Sequence, residues 1–439
     1  MADKSGGRHL SQNPQARGER RMERTMNHRL LRGFLLVIFV AAAFVGGFAL
    51  RSQTALVASW GIPVSAGEEE ALAAAAATNN EESISARVAD VETILSTYSM
   101  DEINLTDATY SMLEDMMKST GDPYAAYYNP DRYNNYIKET TDRSYAGIGV
   151  VFSDYNGRAY VSDVFEGSEA EAKGVQQGDF VNSIDGEDTT SWSMVEVANA
   201  LSKDEGESVS IAWMRPSSLD AQTGELFTTT LLCKVYEEAN LSTQLMGQVG
   251  IVKVRQITSN AAELVEAAVT SLQEQGAEAI VLDLRDNPGG YLTQAVDIAT
   301  LFINSGVIVQ IQTNDGVPTT KSATGSVAPF ENTPLVVLVN RYTSAAAEVL
   351  AAALQDNQRA EVVGETTVGK GSVQVVRELS FGGAVRYTAA YDLSPLGQPI
   401  DNVGVVPQVG VANGGADDSA DAQLLTAVDI ARSLVPATS

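Results

Sequence analysis

Cysteine and histidine are almost missing from this 439-residue chain. Cys233 stands alone, so no disulfide can form within the chain. The two histidines, His9 and His28, both lie in the first 32 residues. The rest of the chain can therefore assemble no Ser-His-Asp triad, no Cys-His dyad and no histidine-ligated zinc. Nucleophilic hydrolysis, if present, needs Lys, Asp or Glu as its base. Positive charge is also scarce, with 29 Lys/Arg against 56 Asp/Glu and a formal net charge of −27. Residues 1–32 hold eight Lys/Arg against Asp3, Glu19 and Glu23, which leaves that head at +5 and the remainder at −32. A body this acidic repels phosphate, and nucleic acid is not expected as a partner.

What is present reads as globular: 44% hydrophobic and 19% charged residues, with length for two or three domains. Residues 33–50, GFLLVIFVAAAFVGGFAL, are eighteen positions without a charge, followed by Arg51. That length predicts a short membrane-spanning helix, and the basic head before it predicts a single-pass protein with its body outside the cytoplasm. A cleaved signal peptide is the alternative, although no small-residue cleavage site follows closely; Val64-Ser65-Ala66 lies some way beyond. Met26 is a second candidate start.

Apolar spacings of three and four predict helices over 84–98 and 107–118. Gly121-Asp122-Pro123 then breaks the chain ahead of an aromatic segment, Tyr124 to Tyr136. Between about 144 and 236, short runs at 147–152, 159–165, 179–186 and 208–214 predict strands, with helices near 168–173 and 193–202. Six or so strands and two helices in that length suit a small, partly open barrel. After 237 the pattern turns to α/β. The runs 250–254, 279–284, 307–312 and 334–340 read as strands, the second and last of them buried and parallel. Helices are expected at 260–275, 292–303, 344–356 and 419–434.

Five segments, in order, resemble the carboxy-terminal processing peptidases, the tail-specific, PDZ-containing Ser/Lys-dyad serine proteases of bacteria. They are GDPYAAYYNPDRY (121–133), a GIGV loop followed by SEAEAKGVQQGDFVNSIDG (147–186), VLDLRDNPGGYLTQAVDIATLFI (281–303), VLVNRYTSAAAEVLAAALQDNQRAEVVGETTVGKGSVQ (337–374) and DNVGVVPQVGV (401–411). The resemblance implies an α/β catalytic domain with a small β-rich PDZ domain, preceded by amino-terminal helices; the apolar run adds a single transmembrane helix ahead of them. Charge and composition set a basic cytoplasmic head at 1–32, an anchor at 33–51 and a linker at 52–82, and a helical region is expected at 83–140. The PDZ domain then takes 141–236, the catalytic domain 237–412, and a carboxy-terminal tail with a helix 413–439.

The site residues follow from the same resemblance. Backbone N–H groups of Gly147, Ile148, Gly149 and Val150 would hold a peptide's terminal carboxylate, with the peptide added as a strand. Alone, Lys370 in Gly369-Lys370-Gly371 would read as a solvated turn residue; the family makes it the general base. A lysine with its ordinary pKa of about 10.4 is protonated at neutral pH, and burial among apolar groups can bring it toward ~7–8. Gln374 would orient it. The oxyanion hole would use the N–H of Ala346 with a glycine of Pro288-Gly289-Gly290, either Gly289 or Gly290.

The nucleophile departs from the pattern. The family's serine stands 25 residues before its lysine, which here is Ala345. An alanine has nothing to acylate, so the chain as given is expected to be inactive. An introduced Ser-to-Ala substitution is favoured, because Lys370, Gln374, the glycine turn and the GIGV loop are all intact. The alternative is a natural pseudoprotease, or a scaffold that captures protein tails. Ser344 is the other candidate nucleophile, but a shift of one helical position turns a side chain by about 100°. No metal or organic cofactor is implied. The partners implied are proteins or peptides with free carboxy termini and, through 33–50, a membrane; an adaptor or activator protein and a homo-oligomer stay open.

Overall fold

The computed structural model describes residues 84–137, 145–236, 240–325, 327–412 and 421–436. The head, the apolar run 33–50 and the linker lie outside them. No helix among the described residues is long and apolar enough to cross a membrane. The chain divides into two units, one reaching to Asn104 and one from Leu105 onward. In the first, helix Ile84–Tyr98 follows the predicted 84–98, and its Val91, Ile94, Leu95 and Tyr98 side chains are exposed.

The second unit is organised by continuous apolar runs, which need cover on both faces. Strands Val249–Val254, Ala279–Asp283, Leu335–Val339, Glu361–Gly364 and Val409–Gly410 lie parallel in that order, and Leu241–Met246 adds an antiparallel edge. Alternate residues point to opposite faces. Val252, Leu282, Val337 and Val362 pack under helices Ala261–Glu274, Leu292–Thr300 and Ala346–Asp356. Ile251, Val281, Val336 and Val363 face Ala427, Val428 and Ala431 of the terminal helix Ala422–Ser433. Arg285 ties that helix down by pairing with both Asp283 and Asp421.

A second, antiparallel sheet runs Ala126–Tyr128, Ala384–Leu393, Ser305–Thr313, Thr319–Thr324, with Ser372–Glu378 also paired to Ala384–Leu393. The Ala126–Tyr128 strand and helices Leu105–Lys118 and Pro130–Ile137 belong to the second unit, so the predicted helical region 83–140 is divided between the two units.

The β-rich module holds strands Val150–Tyr155, Arg158–Val164, Phe180–Ile184, Ser208–Pro216 and Gly224–Leu232, antiparallel in that order. Its core centres on Val161, Val181, Val197, Ile211, Trp213 and Leu231. The exposed, threonine-rich Gly224–Leu232 strand lacks a long apolar run, which hid it from the sequence reading. The module's helix Met194–Leu201 begins with a capping box, Ser193 and Glu196 each bonding the other's backbone N–H.

Candidate active site

Three parallel neighbours, Ala279–Asp283, Leu335–Val339 and Glu361–Gly364, end on one side of the sheet, where open α/β sheets place their sites. The chain leaving each strand carries one part of the candidate site: 284–290, 340–345 and 365–371.

The first two turns are clasped together. The Asp286 N–H donates to Asn340 Oδ1 at 3.0 Å, the Thr343 hydroxyl to the Leu284 carbonyl at 2.8 Å, and the Ser344 N–H to the Asn287 carbonyl at 2.9 Å. The helix begins at Ala346, so Ser344 and Ala345 precede it, unlike the predicted start at 344. Ala345 occupies the N-cap position with φ 53° and ψ −122°. An L-residue in that left-handed region costs about 1–3 kcal/mol, and such strain persists where surrounding structure imposes it. An alanine side chain gains nothing from this pose; a side chain that must project from a sharp strand-to-helix turn does. Ser344 Oγ is fully buried and has no hydrogen-bond partner among the described residues.

Gly289 backs directly onto Ala345: a Cβ added there would stand 2.9 Å from both Ala345 Cβ and Ala346 N. Its own N–H donates to Asn287 Oδ1 at 2.8 Å. Among the described residues, neither the Ala346 N–H nor the Gly290 N–H has a protein acceptor.

The site is held together by a residue that the sequence reading did not single out. Glu348, one turn into the helix, is wholly buried. Its Oε2 accepts the N–H groups of Ala345 and Lys370, each at 2.8 Å. Its Oε1 accepts from the Gly369 N–H at 2.7 Å and the Thr367 hydroxyl. Burial pushes its carboxyl up to about 7 against the opposing pull of these four donors. One carboxylate thus joins the backbone of position 345 to the backbone of Lys370. The signal for it was a Glu three residues after an N-cap in an alanine-rich helix.

Lys370 is 8% exposed, between glycines that the packing requires: a Cβ at Gly371 would lie 2.4 Å from Asp401 N. Its surroundings differ from the apolar pocket expected. Nζ lies 3.5 Å from Asp154 Oδ2, on the Val150–Tyr155 strand of the β-rich module, and 5.7 Å from the centroid of the Tyr124 ring. Gln374 is not bonded to the lysine; its amide donates to Ser372 Oγ at 3.0 Å. Nothing in the sequence marks Asp154, which is 216 positions from its partner.

In the GIGV loop, Gly147 closes the short strand Tyr145–Gly147 and Val150 opens the next one. Gly149 adopts φ 78° with Ser168 against it; an added Cβ would stand 2.3 Å from Ser168 Cβ. The Ile148 and Gly149 carbonyls are taken by the Ala170 and Phe165 N–H groups. Their own N–H groups have no protein acceptor among the described residues.

Comparison with known proteins agrees with this layout. The sequence model of peptidase family S41 matches residues 248–411, and that of the PDZ domain matches 137–212. The carboxyl-terminal-processing protease of Picosynechococcus sp. is 35% identical over 305 residues, covering 69% of this chain and 72% of that one. The Bacillus subtilis carboxy-terminal processing protease CtpA is 30% identical over 298 residues, covering 68% and 62%. Among solved structures, the photosystem II D1 C-terminal processing protease superposes with a TM-score of 0.61 at 28% identity, over 73% of this chain and 85% of that one.

Proposed function

We propose, for a chain that belongs to the serine-type carboxyl-terminal processing peptidases of family S41, a Ser/Lys mechanism centred on position 345 and silenced there by alanine. The observation that carries the proposal is the strained backbone of Ala345, hung from the same Glu348 oxygen as the backbone of Lys370. With serine at 345, Oγ attacks the scissile carbonyl carbon and its proton passes to the neutral Lys370 amine. The oxyanion forms opposite Ala346 N–H and Gly290 N–H; the hydrogen-bond census favours Gly290 over Gly289, whose N–H is already engaged. Lys370 then returns the proton to the departing amine, leaving an ester on the serine. Water, deprotonated by the same lysine, hydrolyses it. Gln374 would reach Lys370 only after leaving Ser372.

The substrates are proteins taken by a free carboxy terminus. The Ile148 and Gly149 N–H groups, without a protein acceptor among the described residues, suit a terminal carboxylate, and the Val150–Tyr155 strand suits an added peptide strand. The apolar run 33–50 would hold the body at the outer face of a membrane, among exported proteins. In the chain as given a captured tail would stay uncut.

The test is digestion of an unstructured protein by the body as given and by its Ala345→Ser form. Cleavage by the serine form alone is expected. Cleavage by neither would favour the second reading, a tail-binding pseudoprotease, which the alanine itself supports. Cleavage by both, lost on Ser344→Ala, would move the nucleophile to Ser344.

A further inference from the structure

Among the described residues, the longest sheet edge without a neighbour belongs to the β-rich module. Strand Gly224–Leu232 ends the order that begins at Val150–Tyr155, and it pairs with Ser208–Pro216 alone. Its nine pairs, from Ser208↔Leu232 to Pro216↔Gly224, run without a register shift, so no bulge turns the strand away. A free edge offers a row of backbone N–H and C=O groups to any other strand. Proteins usually blunt such an edge with a charged side chain, a proline, a bulge or a cover. Two other edges follow that rule: Thr319–Thr324 carries Lys321, Ser372–Glu378 carries Arg377, and each has a register shift in its pairing. Gly224–Leu232 has neither lysine nor proline, and its one charge, Glu225, stands near its start.

The strand's side chains alternate between two faces. Phe227, Thr229 and Leu231 turn inward: Leu231 is wholly buried, Phe227 packs on the same core, and the Thr229 hydroxyl accepts the Trp213 indole N–H at 2.8 Å. Leu226, Thr228, Thr230 and Leu232 turn outward, with Leu226 69% and Leu232 44% exposed. From Thr229 in either direction, the outward face is threonine and then leucine. The inward face is balanced as well, with Phe227 on one side of Thr229 and Leu231 on the other.

A strand whose exposed face is the same in both directions is complementary to itself when paired antiparallel, as a two-fold interface requires. With Thr229 opposite its own copy, Leu226 faces Leu232 and Thr228 faces Thr230, each pair occurring twice. Apolar pairs and Thr–Thr pairs are among those that stabilise neighbouring strands. Glu225 falls outside the stretch 226–232, so no like charges meet within it. Pairing over that stretch supplies about six to eight backbone hydrogen bonds, within the range of specific protein interfaces.

We infer that Gly224–Leu232 is a homodimerisation edge: the same strand of a second copy adds to it antiparallel about Thr229 and joins two β-rich modules into one sheet. The Val150–Tyr155 edges lie at the far ends of the joined strand order and stay free. Neither a serine at 345 nor a captured tail is needed for this pairing.

The test uses the full chain in mild detergent, with Ala345 in place. Sedimentation at micromolar concentration should show a species of twice the chain mass. Thr228→Lys with Thr230→Lys sets like charges opposite one another across the two-fold and should shift that species to monomer; Thr228→Glu with Thr230→Glu should do the same. Both positions are exposed, so the urea midpoint of the monomer should stay as it was. Mixing the lysine form with the glutamate form should restore the dimer, because every lysine then faces a glutamate. Disulfide trapping reads the register. A Thr228→Cys chain oxidised together with a Thr230→Cys chain should give a covalent dimer, since facing Cβ atoms stand about 4.5–5.5 Å apart. Either chain oxidised alone should give little, because each cysteine lies about 7–8 Å from its own copy, and the native Cys233 is buried. An unmutated chain that sediments as a monomer overturns the inference. So does a dimer that persists in the lysine form, or one that mixing with the glutamate form does not restore. Covalent dimer formed as readily by one cysteine chain as by the mixture overturns the pairing about Thr229.

Discussion

Replacing Glu348 by glutamine tests the link that the site depends on. The side chain keeps its shape but offers one acceptor oxygen where the carboxylate offers two, and each carboxylate oxygen serves two donors. The less costly amide orientation points its NH2 at Thr367, whose hydroxyl can reverse and accept. The Gly369 N–H is then left facing another donor. The opposite orientation strands the N–H groups of both Ala345 and Lys370. One buried N–H without an acceptor costs about 1–3 kcal/mol, and the bonds that survive lose the assistance of the charge. Relief of the buried carboxylate's desolvation offsets part of this, so a net loss of about 1–3 kcal/mol is expected near pH 8, where the side chain is ionised. Glu348→Ala strands all four donors and should cost more than the glutamine. The pH dependence has a definite sign. The folded carboxyl lies near 7, above its ordinary 4.5, so its stabilisation is full below about 4.5 and declines as pH rises toward 7. The gap between Glu and Gln should therefore narrow from pH 6 to pH 8. Urea unfolding of the body as given measures this without activity, and amide exchange at Ala345 and Lys370 should quicken in the variant. In the Ala345→Ser background, kcat should fall by roughly 100-fold with KM little changed, because a reacting group displaced by an ångström loses that much. A glutamine variant within about 0.5 kcal/mol of the parent, with unchanged exchange at both amides, would refute the reasoning.

Asp392 is buried, its Oδ1 has no hydrogen-bond partner among the described residues, and burial lifts its carboxyl to about 7. Its penalty builds as pH rises from about 3.8 to 7, so Asp392→Asn should stabilise by a few kcal/mol at pH 8 and little at pH 4, read from urea midpoints. Ala345→Gly should be neutral or stabilising by up to about 1 kcal/mol in thermal unfolding, where an ordinary Ala→Gly change costs a similar amount; a clear loss would mean that the left-handed backbone carries no strain. Gly289→Ala in the Ala345→Ser form should abolish cleavage, since its Cβ would stand 2.9 Å from the nucleophile's Cβ and from Ala346 N; retained activity would move the oxyanion pocket elsewhere. Gly149→Ala, driven into Ser168 and held at φ 78°, should remove binding of carboxylate-bearing peptides measured by anisotropy; unchanged affinity would move the carboxylate site away from this loop.

The sequence by itself determined the frame. Continuous apolar runs at 279–284 and 334–340 are buried parallel strands, because only a strand covered on both faces tolerates them. The histidine-free body left lysine or a carboxylate as the only available base, and the order of the motifs identified the family. The strands 372–378 and 384–393 escaped notice because they are mixed in polarity and half-exposed, with no alternation strong enough to read. The left-handed backbone at Ala345 could not be read either, since an alanine code says nothing of φ. Only the tertiary structure decided which charges meet. Glu348 under two backbones, Asp154 on Lys370 and Gln374 turned to Ser372 are side-chain encounters, two of them across long stretches of chain. Sequence periodicity encodes which face of an element is buried; which carboxylate then lies against which amine is set by how separately formed elements dock.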